Sequence, residues 1–133
     1  MTQPAESAAC IKVLLLEDNP GDARLVREVL EEASPGAFSL THVDLFSKAE
    51  RAVASENFDV VLLDLTLPDS FGIQTFRKMA HLTAAPIVVL TGLEDGAVEK
   101  QLMSEGASDY LPKRHLEGAL LARILRNAAL SKR

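Results

Sequence analysis

Four consecutive bulky apolar residues, Val60-Val61-Leu62-Leu63, followed directly by Asp64, constrain the fold of this chain more than any other feature. Such a run is typical of a strand buried on both faces, as found in parallel sheets covered by helices. A second run, residues 12–16, ends in the acidic pair Glu17-Asp18. Open α/β sheets bind ligands outside the carboxyl ends of their strands. We therefore expect three carboxylates at one edge of a parallel sheet, where crowded negative charges favour a bound cation.

The composition is that of a folded globular domain, with 47% hydrophobic and 25% charged residues in a chain of 133. That length suffices for one domain with its own core. The net charge of -5 argues against direct binding of nucleic acid. No apolar stretch approaches the ~20 residues of a membrane helix, and the single cysteine, Cys10, fits a reducing compartment. We therefore expect a soluble, cytoplasmic protein with no membrane partner.

Strand and helix patterns alternate five times along residues 11–130, which we take as the domain. Residues 1–10 are expected to form a flexible tail, and residues 131–133 the chain end or the start of a linker. The predicted strands cover residues 11–17, 38–43, 60–64, 87–91 and 109–111. The predicted helices cover residues 22–33 (Leu25, Val26, Val29 and Leu30 inward), a segment opened by the capping box Ser47-Lys48-Ala49-Glu50, and residues 71–82, 95–105 and 116–130.

This alternation predicts an α/β fold, a doubly wound (βα)5 sandwich around a five-stranded parallel sheet. The second strand alternates apolar and polar residues, which indicates an edge strand with one exposed face. Pro112 lacks an amide donor and suits the end of the other edge strand. The predicted strand order is therefore 2-1-3-4-5, in which ligands bind between the first and third strands.

Polar side chains follow four of the predicted strands, namely Glu17 and Asp18, Asp64, Thr91 and Lys113. Carboxylates at a water-filled crevice suit Mg²⁺, which takes oxygen ligands and keeps several waters. A hydroxyl and an ammonium group suit the oxygens of a bound phosphoryl group. Asp64 is the central carboxylate and so the best candidate nucleophile for an aspartyl-phosphate. Each residue alone has a common structural explanation, but their occurrence at successive strand ends favours one joint site.

Four short motifs resemble those of the receiver domains of two-component response regulators, over about residues 11–130. These motifs are Leu16-Glu17-Asp18-Asn19, the spacing Asp64…Pro68…Gly72, Val89-Leu90-Thr91-Gly92 and Tyr110-Leu111-Pro112-Lys113. The resemblance implies a flavodoxin-like fold and a phosphorylation-dependent signalling switch. Such a domain catalyses only its own phosphorylation and dephosphorylation.

The resemblance also implies a phosphoacceptor and a metal site. Asp64 is the implied phosphoacceptor. Mg²⁺ is the implied cofactor. Asp18 would bind it directly and Glu17 mainly through water, with Asp64 and the backbone carbonyl of Thr66 as further ligands.

A second set of residues is implied to respond to the phosphoryl group. Thr91 would hydrogen-bond to it and Lys113 would pair with it, while Thr91 and Tyr110 would form the switch. The expected partner face includes Lys100, Gln101 and the basic side chains of the final segment.

The sequence departs from the family pattern at two positions. Arg114 follows Lys113 where proline is usual, and a proline instead precedes the lysine. Glu17 replaces the more frequent aspartate. Neither change removes an essential chemical group.

The implied partners are a cognate sensor histidine kinase or a phosphotransfer protein, and a downstream output domain or protein of unknown kind. A homodimer through the last helices is a further candidate. Two alternatives remain open: an aspartate-nucleophile phosphohydrolase, and a degenerate receiver that acts as a binding module. The first usually has a second acid two residues after its nucleophile, whereas Asp64-Leu65-Thr66 lacks one. The second normally loses an acid, the hydroxyl or the lysine, all of which are present here.

Overall fold

A computed structural model describes residues 10–92 and 95–131 of the chain. Residues 1–9 of the predicted tail and residues 132–133 lie outside the described part. The elements in chain order are β1 (Ile11–Leu16), α1 (Pro20–Ala33), β2 (Phe38–Val43), α2 (Phe46–Ser55), β3 (Val60–Leu63), β4 (Thr66–Leu67), β5 (Ser70–Phe71), α3 (Ile73–Leu82), β6 (Ile87–Thr91), α4 (Gly96–Ser104), β7 (Asp109–Pro112), a 3₁₀ helix (Lys113–His115) and α5 (Gly118–Ser131).

Five strands form one parallel sheet in the order β2-β1-β3-β6-β7. If only these five strands are counted, in chain order, the sheet has the order 2-1-3-4-5. The predicted doubly wound α/β fold is therefore confirmed. The remaining strands, β4 and β5, form a small antiparallel pair that the sequence analysis missed.

Two apolar cores, one on each face of the sheet, explain the continuous apolar runs of the central strands. Leu14, Val61 and Val89 pack on the face that α2, α3 and α4 cover. Their neighbours Leu15 and Leu62 point to the opposite face, which α1 and α5 cover. Successive side chains of a strand alternate between faces, so a strand covered on both sides must be apolar throughout. β2 has a half-exposed pattern instead, as expected of an edge strand.

The predicted capping box of the second helix is wrong. α2 begins at Phe46, and no side chain of its own segment caps it. Instead, Asp69, in the turn between β4 and β5, accepts hydrogen bonds from the amides of Phe46 (2.8 Å) and Ser47 (3.0 Å). These two amides lower the pKa of the Asp69 carboxyl group. A tertiary contact therefore replaces the local cap, because the helix begins before Ser47.

The first helix begins two residues earlier than predicted, at Pro20. The side chain of Asn19 caps it by accepting a hydrogen bond from the amide of Asp22. Leu25 was expected to point inward, but 45% of its surface is exposed, and Ala23 is buried in its place. The buried stripe of α1 therefore runs through residues 23, 26 and 30, a spacing that excludes Leu25.

The segment after β7 positions the last polar residue of the predicted site. A 3₁₀ helix, Lys113–His115, fills the stretch after Pro112, so α5 begins at Gly118 rather than at residue 116. At Gly118, α5 approaches α1 so closely that a Cβ atom would lie 2.4 Å from the carbonyl oxygen of Val29.

No helix among the described residues is long and apolar enough to cross a bilayer.

Candidate functional site

A cleft of about 400 Å³ lies at the carboxyl-terminal edge of the sheet, where the sequence predicted the site. It is lined by Glu17, Asp18, Asn19, Asp22, Asp64, Thr66, Gly92 and Lys113. A larger groove of about 580 Å³ lies against α2 and α3, but Glu50 is the one carboxylate among its described lining residues. We therefore place the site in the smaller cleft, where acidic and basic groups converge.

Three carboxylates meet in this cleft, as expected. Oxygen atoms of Glu17, Asp18 and Asp64 all lie within 4.8 Å of one another. Glu17 and Asp64 are only 1% and 4% exposed, whereas Asp18 is exposed. Burial and, to a smaller extent, the charge of Asp64 together raise the pKa of Glu17 to about 7, although Lys113 and the amide of Asn19 oppose this shift. The cluster is thus short of positive charge, and a cation among its oxygens would correct this.

The hydrogen bonding of Glu17 agrees with a role in binding a hard cation. Its Oε2 atom accepts a hydrogen bond from the amide of Asn19 at 3.2 Å. Its Oε1 atom is buried, and no directed hydrogen bond reaches it from the described residues. Lys113 Nζ lies 2.8 Å from this oxygen, so the two groups form an ion pair without hydrogen-bond geometry. Three clustered carboxylates fit Mg²⁺, a cation that prefers oxygen ligands.

Asp64 follows β3 directly, and its carboxylate is held from two sides. Its amide donates to the carbonyl of Leu16 at 3.1 Å, which ties the strand end to β1. Its Oδ1 atom accepts from the amide of Thr66 at 3.2 Å, and its Oδ2 atom from Lys113 Nζ at 3.0 Å. Thr66 lines the cleft, but its carbonyl as a metal ligand stays a prediction.

Lys113 contacts three carboxylates at once. Its Nζ atom lies 2.8 Å from Glu17, 2.8 Å from Asp22 and 3.0 Å from Asp64. Burial alone would lower the pKa of Lys113, but these carboxylates outweigh burial and raise it. The ammonium group therefore stays charged and is available to a phosphoryl group. The replacement of proline by Arg114 has not displaced the lysine from the cleft.

Thr91 and Tyr110 lie in the sheet and do not line the cleft. Thr91 is the last residue of β6 and is completely buried, while its neighbour Gly92 lines the cleft. Tyr110, in β7, is 8% exposed and packs in the core beneath α2, α3 and α4. Tyr110, which the resemblance assigns to the switch, is thus buried in the core of this structure.

Sequence reasoning missed Asp22 and His42. Asn19-Pro20 predicts a helix start, which would have placed Asp22 in the first turn of α1, beside the acidic pair. His42 lies on β2, and its Nε2 atom is 2.7 Å from the backbone carbonyl oxygen of Glu17. No local pattern indicated the His42 contact, because 25 residues separate the pair in sequence.

Comparison with known proteins places the chain in a family. A family model described as the response regulator receiver domain matches residues 13–125, a range that includes every residue lining the cleft. The chain belongs to this family. It is therefore a signalling module of two-component systems, and the phosphohydrolase alternative is not favoured.

Curated relatives of this receiver domain include both kinases and regulators. It is 28% identical to the signal transduction histidine-protein kinase BarA of Escherichia coli, over 81% of this chain and 12% of BarA. It is 32% identical to the transcriptional regulatory protein CrdR of Helicobacter pylori (86% and 54% covered) and 33% to the swarming motility regulation protein RssB of Serratia marcescens (86% and 51%). The chain thus spans between 12% and 54% of the length of these three relatives.

Solved structures support the same fold. The BeF3-activated N-terminal receiver domain of Klebsiella pneumoniae RstA superposes with a TM-score of 0.76 at 31% identity, covering 89% of this chain and 97% of that one. A CheY-like receiver domain from Methanospirillum hungatei gives a TM-score of 0.79 at 17% identity, covering 92% and 96%. The second similarity shows the fold alone. Together with the strand order, these neighbours confirm the flavodoxin-like receiver fold.

Proposed function

We propose that this receiver domain, residues 11–130, is a phosphorylation-dependent switch whose phosphoacceptor is Asp64. The observation that supports this choice most is the position of the Asp64 carboxylate. It is buried at the end of β3, within 4.8 Å of oxygens from Glu17 and Asp18, and its Oδ2 atom accepts a hydrogen bond from Lys113.

In the proposed reaction, a carboxylate oxygen of Asp64 attacks the phosphorus of a phosphohistidine on the partner protein. The P–N bond breaks, its electron pair stays on the histidine nitrogen, and that nitrogen is then protonated. An acyl-phosphate results. Lys113 would stabilise the negative charge on the phosphoryl oxygens. Hydrolysis of the acyl-phosphate would return Asp64 to its carboxylate form, which is the one other reaction we propose for the domain.

We propose that Mg²⁺ is the cofactor, with Asp18 and Asp64 as direct ligands, Glu17 acting mainly through water, and the carbonyl of Thr66 completing the protein ligands. When bound, the ion would supply positive charge that offsets the negative charge of the transferring phosphoryl group. The buried Oε1 atom of Glu17, which pairs with Lys113 but receives no directed hydrogen bond from the described residues, supports this assignment.

Phosphorylation would then change the surface formed by α4, β7 and α5. The new group adds about two negative charges near Lys113, and Thr91 would gain a hydrogen bond by moving toward it. Tyr110 is buried in the core beneath α4, so a movement of Thr91 would alter the space around its ring. A partner responds only if its contacts differ between the two states. The face that includes Lys100 and Gln101 is our candidate for such contacts.

Two further assignments follow from the family. We propose a sensor histidine kinase or a phosphotransfer protein as the phosphoryl donor; receiver domains interact with such proteins and with output domains. Because a histidine kinase draws its phosphoryl group from ATP, we propose the cytoplasm as the site of action.

The proposed function is tested by beryllofluoride, which mimics a phosphoryl group on a carboxylate. With Mg²⁺ present, we expect the wild-type chain to bind it and Asp64→Asn to lose that binding. Asp59→Asn is a matched control, because Asp59 directly precedes β3 and so lies at the amino-terminal edge of the sheet, away from the cleft. There its side chain accepts a hydrogen bond from the amide of Lys12. Equal binding by the Asp64 variant and the wild type would refute the assignment.

A further inference from the structure

Asp22 lies in the cleft although it belongs neither to the sheet nor to the carboxylate cluster. Its Oδ2 atom accepts a hydrogen bond from Lys113 Nζ at 2.8 Å, a shorter bond than the 3.0 Å bond between Lys113 and Asp64. Asp22 lies in the first turn of α1, and its amide donates to the capping side chain of Asn19. The partial positive charge at a helix N-terminus favours a carboxylate there. The acid is thus anchored to the helix end and directed at the lysine.

The ammonium group of Lys113 forms ion pairs with two kinds of carboxylate. Glu17 and Asp64 belong to the cluster whose oxygens could hold a metal ion. Asp22 is the one described partner of Lys113 outside that cluster. A divalent ion in the cluster would compete with the ammonium group for Glu17 and Asp64, because like charges repel. The pair with Asp22 would not face this competition.

We propose that Asp22 is a positioning residue for Lys113. It holds the ammonium group on the α1 side of the cleft, which leaves oxygens of Glu17 and Asp64 available to Mg²⁺. The same attraction limits how strongly Lys113 pairs with a phosphoryl group on Asp64. This inference rests on the proposed function, since it takes Asp64 as the phosphoacceptor.

The inference predicts opposite changes in two affinities when Asp22 is neutralised. In Asp22→Asn, the ammonium group of Lys113 should pair more strongly with Glu17 and Asp64. Mg²⁺ alone should therefore bind more weakly to this variant than to the wild type. At saturating Mg²⁺ the released lysine should bind the phosphoryl mimic better, so beryllofluoride should bind more tightly. We expect each change to be about two- to five-fold, the range of a partly exposed ion pair. A loss of structure alone would weaken both affinities together.

Two variants serve as controls for this measurement. Glu28→Gln removes one negative charge from the exposed face of the same helix, away from the cleft lining. It should change both affinities much less than Asp22→Asn does. Asp22→Glu restores the charge and should return both affinities toward the wild-type values.

A double variant tests whether Asp22 acts through the lysine. In a Lys113→Met background, Asp22→Asn should change the affinities no more than the Glu28→Gln control does. The Mg²⁺ affinity remains measurable there even if beryllofluoride no longer binds. The inference is overturned if both affinities change in the same direction, if Asp22→Asn behaves like Glu28→Gln, or if its effect persists without the lysine. A wild-type chain that binds no beryllofluoride would instead overturn the proposed function of Asp64.

Discussion

The Nζ atom of Lys113 lies 3.0 Å from the Oδ2 atom of Asp64, although 49 residues separate them in sequence. The parallel sheet explains this proximity, because β3 and β7 both end at the same edge, with β6 between them. A buried carboxylate and a partly buried ammonium group stabilise each other's charged forms when they are this close. The pair therefore places a charged lysine beside the oxygen that we propose as the nucleophile.

We predict that removal of Asp18 weakens Mg²⁺ binding more than removal of Glu17. The expected reason is that Asp18 contacts the ion directly, whereas Glu17 acts mainly through water. Calorimetric or fluorescence titration of Asp18→Asn and Glu17→Gln with Mg²⁺ measures the order. A larger loss for Glu17→Gln would reverse the two roles.

A second prediction concerns the pH dependence of stability without metal. The pKa of Glu17 is about 7 in the folded chain, against 4.5 for an unperturbed glutamate. Between pH 4.5 and about pH 7, Glu17 binds more protons in the folded state than in the unfolded state. The free energy of unfolding must therefore fall as the pH rises through this range. We expect the free energy of unfolding to drop by about 1–3 kcal/mol between pH 5 and pH 8.

Urea denaturation in the presence of a chelator measures this drop. Glu17→Gln should flatten the pH profile, because the group that titrates is gone. Saturating Mg²⁺ should also reduce the drop, since the ion favours the ionised carboxylate. A wild-type profile that rises over this range would contradict the raised pKa.

The capping contact of Asp69 is predicted to stabilise the fold. Asp69→Ala removes the acceptor for the amides of Phe46 and Ser47 at the start of α2. Loss of a helix cap typically costs about 1 kcal/mol, and we expect a loss of that order in the free energy of unfolding. Asp69→Asn retains an acceptor oxygen and should lose less. Equal stability of the alanine variant and the wild type would show that solvent satisfies these amides equally well.

Close packing of α1 against α5 predicts different responses from two glycines. In Gly118→Ala the new methyl group would lie 2.4 Å from the carbonyl oxygen of Val29, so the helices must separate. We expect a loss of about 1–3 kcal/mol, as for other overpacked sites. In Gly96→Ala, at the start of α4, the methyl group meets no atom within 4 Å. Thermal denaturation should therefore show a destabilised Gly118 variant and no loss for the Gly96 variant.

The order of the sheet and the cluster at its edge were predictable from sequence because both depend on regular patterns. A four-residue apolar run is long enough to indicate a buried strand, and a residue directly after it, such as Asp64, must lie at the strand end. Glu17, Asp18 and Lys113 could be placed by the same reasoning. Their convergence followed from the topology alone.

The features that were missed depend on tertiary contacts or on very short elements. β4 and β5 have two residues each, too few to show a period of two. The local pattern at Ser47 favoured a capping box, but the carboxylate of Asp69 binds the helix amides instead. Asp22 contacts a lysine 91 residues away, and nothing in its own segment indicates that partner.

Chemical mapping of the phosphorylated residue tests the central proposal most directly. The chain would be phosphorylated with acetyl phosphate and Mg²⁺, then treated with borohydride, which reduces an aspartyl-phosphate to homoserine. Peptide mass spectrometry would then locate the homoserine. We predict homoserine at position 64 and nowhere else in the cleft. Homoserine at position 18 or 22 without any at position 64 would contradict the proposal.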